Sequence, residues 1–281
     1  MKFRRPRNYE EQTHENPWWL IRYPHQKRFA TAATLLLADQ PGVVMDYGAG
    51  NGEVLAQVLA DPRGASIDLA IAYDPDPQMR ASAEKKLVPH SPRAAVIGDL
   101  AELESALQGR RVDAVACLEV LEHLSLTERQ RFYSVCSDNL VDGGLCLIDV
   151  PVEIGPTLLV KVIGRRVLKG RPREYRLGEL LRPTFGMRVR DPERFDPERQ
   201  NGWVQDHKGF DYRELCDELR EWLPIERTIS TPVRALPPWL CNQEIFLVAR
   251  QPSAPRPRDR QRSAGIGRRR RARPRSSRTT Q

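Results

Sequence analysis

Apolar residues gather along this chain in short, unbroken runs: Val43–Tyr47, Ile67–Tyr73, Ala94–Ile97, Val112–Leu118 and Leu145–Val150. Runs that do not alternate with polar residues are expected of strands covered on both faces. Between them lie segments of helical spacing at Glu53–Leu59, Pro77–Leu87, Leu103–Leu107 and Thr127–Leu140. Upstream, Pro24 interrupts a further segment, and a helix is predicted from about His25 to Ala38, with Phe29, Ala32, Ala33, Leu36 and Leu37 on one face. Trp18 and Trp19 before it read as packing residues of an N-terminal cap. Strand and helix in strict alternation predict an α/β fold with a doubly wound parallel sheet.

The rhythm stops after Pro151. Residues 153–206 are rich in Arg, Pro and Gly and show no clear strand, and a connection of that length inside a domain predicts a lid or substrate insertion. Within it, Leu158, Leu159, Val162 and Ile163 predict an apolar helix face. Lys161, Arg165 and Lys169, four apart, predict a basic stripe suited to a lid or to a membrane surface. Regular structure resumes with a helix at Tyr212–Trp222. Two strand-like runs follow, "PIERTIST" and "NQEIFLVAR", separated by a loop with Pro232, Pro237 and Pro238. Two strands with no helix between them predict an antiparallel pair at the sheet edge. The domain plan is a flexible N-terminus (1–16), one domain (17–250) carrying the insertion, and a tail (251–281).

Charge changes this picture only at the end of the chain. The tail holds eleven arginines and one acid, Asp259, for a formal +10. The whole chain is +8, which leaves residues 1–250 at −2. The tail's Pro/Arg/Ser composition predicts disorder, and its charge predicts attraction to polyanions or an anionic membrane surface. The near-neutral remainder lacks the basic groove that a nucleic-acid duplex needs. Five scattered cysteines form no CxxC pair, so no structural zinc site is expected, and a reducing cytoplasm is. No signal peptide and no membrane-spanning run are predicted.

The first strand leads into "DYGAGNGEVL", where Gly48, Gly50 and Gly52 stand at every second position. In doubly wound sheets, ligands sit beyond the carboxyl ends of the strands, and glycines there permit close backbone approach. A dinucleotide fingerprint needs its third glycine one residue later. Glu53 at the helix entrance would also repel a pyrophosphate. No GK[ST] follows, which excludes a P-loop.

The ordered set "DYGAGNG", "AIAYDPD", "VIGDL", "VACLEVLEHL" and "LVDGGLCLIDVP" resembles the class I S-adenosylmethionine-dependent methyltransferases over about Val43–Arg250. The resemblance implies a seven-stranded sheet with an antiparallel last strand, and S-adenosyl-L-methionine as cofactor. It implies that Gly48, Gly50 and Gly52 pass under the cofactor, with Asp46 near its amino-acid end. Asp74 would accept from both ribose hydroxyls, as two carboxylate oxygens suit a vicinal diol. Asp99 and the Leu100 backbone would read the adenine, and Cys117 and Leu118 would lie near the methionine amino group. Read singly, Asp74-Pro75 is also a turn and Asp99 also a helix cap.

Methyl transfer to a hydroxyl is helped by a base. The candidate catalytic residues are His207, where the insertion returns to the domain, and Glu119, placed to orient substrate. His123 reads as structural, at a helix start beside Leu121 and Leu124. The expected function is O-methylation of a small molecule, glycan or lipid-linked precursor. A nucleic-acid methyltransferase using the basic tail is the first alternative, but "CLEVLEHL" stands where an amino-directed base enzyme carries Asn/Asp-Pro-Pro-Tyr/Phe, and no Pro-Cys nucleophile occurs. The second is a non-catalytic cofactor-binding partner subunit, against which the intact glycine and acid positions argue.

Overall fold

The computed structural model describes residues 19–169, 177–187, 207, 209–240, 242 and 244–252. The expectations for residues 1–16, for Trp18 and for the tail beyond Pro252 lie outside these. So does that for the side chains of Trp19, Arg165 and Lys169.

Helix α1 (Trp19–Leu36) precedes strand β1 (Val43–Tyr47). It begins six residues earlier than predicted and passes through Pro24. A proline removes one hydrogen bond but keeps a helical φ, so the preceding turn remains helical. Then come α2 (Glu53–Ala60), β2 (Leu69–Tyr73), α3 (Pro77–Leu87), β3 (Ala94–Ile97), α4 (Leu103–Leu107), β4 (Val112–Leu118), α5 (Leu126–Asn139) and β5 (Leu140–Pro151). The insertion contains α6 (Pro156–Lys169) and α7 (Leu177–Thr184), and the chain continues through α8 (Tyr212–Arg220), β6 (Ile225–Thr231) and β7 (Glu244–Arg250).

The sheet has seven strands in the order β3-β2-β1-β4-β5-β7-β6. The first five are parallel, and β7 runs antiparallel to both of its neighbours. Successive side chains along a strand point to opposite faces, and two cores result. On one face Met45, Ile71, Val115, Ile148 and Leu247 pack with Phe132 of α5 and Leu215 of α8. On the other, the small residues Ala70, Ala72, Ala114 and Ala116 let α1 and α2 approach closely with Phe29, Leu36 and Leu55.

The insertion differs from its predicted pattern. Leu158 and Val162 are buried with Leu180 of α7 in a separate small core, whereas Leu159 and Ile163 are exposed. Lys161 turns inward, its Nζ donating to the Val152 carbonyl at 3.0 Å and lying 3.4 Å from Glu153. Only part of the predicted apolar face is therefore used, and Lys161 of the predicted basic stripe is bonded to the segment just after β5. No helix among the described residues is long and apolar enough to cross a membrane.

Candidate functional site

The carboxyl ends of β1, β2 and β4 converge on a cleft of about 700 Å³. Its floor is the turn after β1. Gly48 N and Ala49 N both donate to the Tyr73 carbonyl, at 2.8 and 2.9 Å, which ties the turn to the end of β2. Gly50 N donates to Asp74 Oδ2 at 2.8 Å, and Asp76 N to Asp74 Oδ1 at 2.9 Å. One carboxylate thus holds two loops and keeps lone pairs for a further donor.

Two of the three glycines answer to protein neighbours. A Cβ at Gly48 would lie 2.5 Å from Val120 Cγ2, a distance no real Cβ adopts, at a φ of +79°. A Cβ at Gly52 would press on Ala83 of α3 at 3.2 Å, so this glycine sets helix packing, and it does not line the cleft. A Cβ at Gly50 would meet nothing within 4 Å, yet Gly50 lines the cleft. Within the protein only the φ of +53° favours glycine at this position, and the space over it opens into the cleft.

The cleft is acidic. Asp46 is buried beneath it, and burial, aided by the nearby Asp74, pushes its pKa up to about 7. Burial also raises Asp74, against the two backbone donors that lower it. Glu53 is paired with Lys86 and accepts from Gln57 at 2.8 Å. Leu118 lines the cleft, while Cys117, one residue earlier, is fully buried below it. Asp99 and Leu100 are not among the lining residues. Asp99 Oδ1 accepts from Ala101 N at 3.0 Å and Glu102 Oε1 from Asp99 N at 2.9 Å, a complete capping box whose Asp99 side chain is 66% exposed. The cap reading of Asp99 is the one its hydrogen bonds follow.

At the β4 end stands Glu119, in the left-handed region at φ +52°. A non-glycine residue there stores strain and persists only when neighbours fix it. Its N–H donates to the Asp149 carbonyl at 2.9 Å, and its carboxylate meets Arg28 Nη1 at 2.6 Å. Arg28 of α1 is 2% exposed and also lies 3.2 Å from Glu244 and 4.0 Å from Asp149. Asp149 and Glu244 come from the adjacent strands β5 and β7 on the face that α1 covers. Three carboxylates thus surround one guanidinium, which takes the place a cation would occupy among them. Burial raises Asp149 well above the usual carboxylate range and Glu244 to about 7, while Arg28 opposes both shifts. Neither the sequence pattern nor the resemblance pointed to Arg28. The signal present was a charge inside each of two apolar runs, Asp149 in "LCLIDVP" and Glu244 in "QEIFLVAR".

His123 lines the same end of the cleft. It ends a single 3₁₀ turn, Leu121–His123, that follows β4. His207 faces it, with the two Nε2 atoms 3.3 Å apart and the ring centres 4.9 Å apart. Nδ1 of His207 lies 3.5 Å from Glu153, a buried carboxylate just past β5. Of the two candidate catalytic residues, Glu119 lines this end of the cleft, while His207 is not a lining residue and reaches it only through His123. His123 and Glu153, to which the sequence reading gave no catalytic part, stand with His207.

A family model described as a methyltransferase domain matches residues 45–146. None of the curated proteins matches the sequence. Among solved structures, the chain is similar to an O-methyltransferase family protein from Burkholderia thailandensis, at 16% identity and a TM-score of 0.50, over 83% of this chain and 57% of that one. It is also similar to the methyltransferase domain of a bacterial CtHen1, at 16% identity and a TM-score of 0.52, over 81% of this chain and 98% of that one. A third similar structure is the small RNA methyltransferase HEN1, at 18% identity and a TM-score of 0.51, over 83% of this chain and 26% of that one. At these identities the likeness is one of fold.

Proposed function

We propose that this chain, whose residues 45–146 match a methyltransferase domain, is a class I S-adenosylmethionine-dependent enzyme that methylates a hydroxyl of a small molecule, a glycan or a lipid-linked precursor. The cofactor supplies an electrophilic methyl on a sulfonium. The residues present fit it: a bare Gly50 over vacant space, a carboxylate at Asp74 with lone pairs to spare, and Asp46, whose negative charge suits a cationic ligand. Holding acceptor and methyl group in line accounts for much of such a reaction's acceleration, and Glu119, fixed by Arg28, is suited to orient the acceptor.

The observation that carries the hydroxyl reading is the imidazole pair at the cleft's β4 end. A hydroxyl acceptor must lose a proton. Glu153 beside its Nδ1 is suited to hold a proton on that nitrogen, which would leave Nε2, 3.3 Å from His123 Nε2, as the nitrogen that takes the acceptor's proton. In this reading Asp46, Gly48, Gly50 and Asp74 hold the cofactor, with Leu118 at its methionine end. Asp99, Leu100 and Cys117 act at most through backbone or neighbours. Purified protein incubated with labelled S-adenosylmethionine and a panel of hydroxyl acceptors tests the reading. His207→Ala is expected to lower kcat by ~10²-fold with cofactor affinity unchanged, and full turnover in that variant would refute the role. The Arg-rich tail is proposed to hold the enzyme at anionic membrane surfaces or other polyanions, and the protein to work in the cytoplasm.

A further inference from the structure

We infer that Glu122, His123 and His207 form a binding site for one divalent transition-metal ion at the acceptor end of the cleft. The inference rests on the reading of that end as the place of the acceptor, and it gives the imidazoles a different task there. One ligand atom from each of the three residues lies within 4.8 Å of the others.

Three features distinguish this group from polar residues met by chance. The first is the distance between the rings. Two imidazole nitrogens bound at ~2.0–2.1 Å to a tetrahedral ion stand roughly 3.3–3.4 Å apart, and the two Nε2 atoms are 3.3 Å apart. The second is the buried carboxylate. Glu122 is 0% exposed, with Oε1 3.9 Å from His123 Nε2. A carboxylate kept out of water offers an oxygen ligand with little competition from solvent, and its oxygen lies within 4.8 Å of the imidazole ligand atoms. The third is the support behind the ligands. His207 Nδ1 lies 3.5 Å from Glu153, itself reached by Lys161 Nζ at 3.4 Å. A carboxylate behind the far nitrogen is how ligating imidazoles are oriented and made more basic.

Local structure explains how the chain builds the group. Glu122 and His123 are neighbours on the 3₁₀ turn after β4, so their spacing is fixed within one turn. His207 arrives from the end of the insertion, just before Asp211 caps α8. Two nitrogens and one carboxylate oxygen suit ions of the zinc and manganese kind better than calcium or magnesium, which prefer oxygen alone. Because His123 lines the cleft, an ion held here is within reach of the acceptor oxygen. Such an ion orients that oxygen and makes its proton easier to lose.

The full-length protein, stripped with a chelator and dialysed, is titrated calorimetrically with Mn²⁺ and separately with Zn²⁺, without acceptor. Wild type is expected to bind one ion per chain. His207→Ala and Glu122→Gln should each weaken binding at least tenfold, and Glu153→Gln should weaken it by a smaller factor. S-adenosylmethionine affinity, measured on the same samples, should be unchanged in His207→Ala, which shows that the domain remains folded. Wild type that binds neither ion at millimolar concentration would overturn the site. So would binding that survives His207→Ala undiminished. If His207→Ala loses turnover while wild type binds no ion, the imidazole is a base, and only the metal site fails. If the ion binds as expected but no hydroxyl acceptor is methylated, the site stands and the reading of the acceptor falls.

Discussion

Adding one methyl group at Gly50 separates what the glycine loop does for the fold from what it does for the ligand. The φ of Gly50 is +53°, inside the left-handed region that alanine enters at a cost of ~1–2 kcal/mol. Its new Cβ would touch nothing within 4 Å, so no steric cost is added. The Gly50 N–H donor to Asp74 is kept. Gly50→Ala should therefore lower stability by ~1–2 kcal/mol. The methyl does stand in the cleft, and forcing a ligand against one extra methyl costs ~1–3 kcal/mol, or about 5- to 150-fold in affinity. Gly48→Ala is the control. Its φ of +79° adds the same backbone cost, and the 2.5 Å approach to Val120 adds ~1–3 kcal/mol of overpacking, for about 2–5 kcal/mol in all. Val120→Ala in the same chain should return part of the second cost and none of the first. Chemical denaturation gives the stabilities, and calorimetry with S-adenosylmethionine gives the affinities. A Gly50→Ala protein that binds cofactor as tightly as wild type would refute the assignment of Gly50 to the cofactor site. A loss of stability equal to that of Gly48→Ala would refute the claim that its Cβ position is empty.

Asp74→Ala should weaken S-adenosylmethionine by about 1.5–3 kcal/mol, the scale of hydrogen bonds to a charged group, and Asp74→Asn, which keeps one oxygen acceptor, should lose less by the same calorimetry. Cofactor affinity should rise with pH, because a cation binds best when Asp46, with a pKa of about 7, is ionised; from pH 6 to 8 the gain is up to ~10-fold for one released proton, and Asp46→Asn should flatten the curve. Arg28→Met should cost ~3–5 kcal/mol near pH 8 by leaving buried acids without their guanidinium. Glu244 and Asp149 have folded pKa values raised above their unfolded ones, so each binds its proton more readily when folded, and their ionisation costs stability as pH rises through the folded pKa, about 7 for Glu244. Denaturation at pH 5.5, where Glu244 takes up a proton, should therefore show a smaller Arg28→Met deficit, and an equal deficit at both values would refute the charge argument. A chain ending at Pro252 should melt and bind cofactor as the full chain does, while losing retention on anionic vesicles at low salt.

The sheet was legible because its strands are covered on both faces and read as unbroken apolar runs, and four predicted helices fall within a residue or so of their places. Legibility failed where local signals mislead. The predicted run opens at Leu145, after Gly143-Gly144, yet β5 already begins at Leu140. Pro24 reads as a start, yet α1 passes through it. At the site, the glycine loop and Asp74 announce themselves because their chemistry is local. Arg28 and Glu244 meet across 216 residues, and His123 and His207 across 84. Nothing near either partner in sequence signals the other. Lys161 joins the predicted basic stripe of a lid or membrane contact for the same reason, since its acceptors lie on the far side of Pro156.

The position of β7 has a consequence for how the chain is made. Strand β5 has its second hydrogen-bonding partner only in β7, whose residues 244–250 are the last to enter the sheet. β6, though synthesised earlier, pairs only with β7 and cannot join the sheet before it. About 90 residues separate the end of β5 from the start of β7, which at ~5–20 residues per second of translation is roughly 5–20 s. During that interval the nascent chain presents the apolar β5 with one edge open, and such an edge is a template for pairing with another chain. Glu244, the first residue of β7, also brings to Arg28 a carboxylate that it lacks until then. The N-terminal helix is thus latched by the final strand, so a ribosome that stalls within residues 152–243 releases a product that is prone to aggregate.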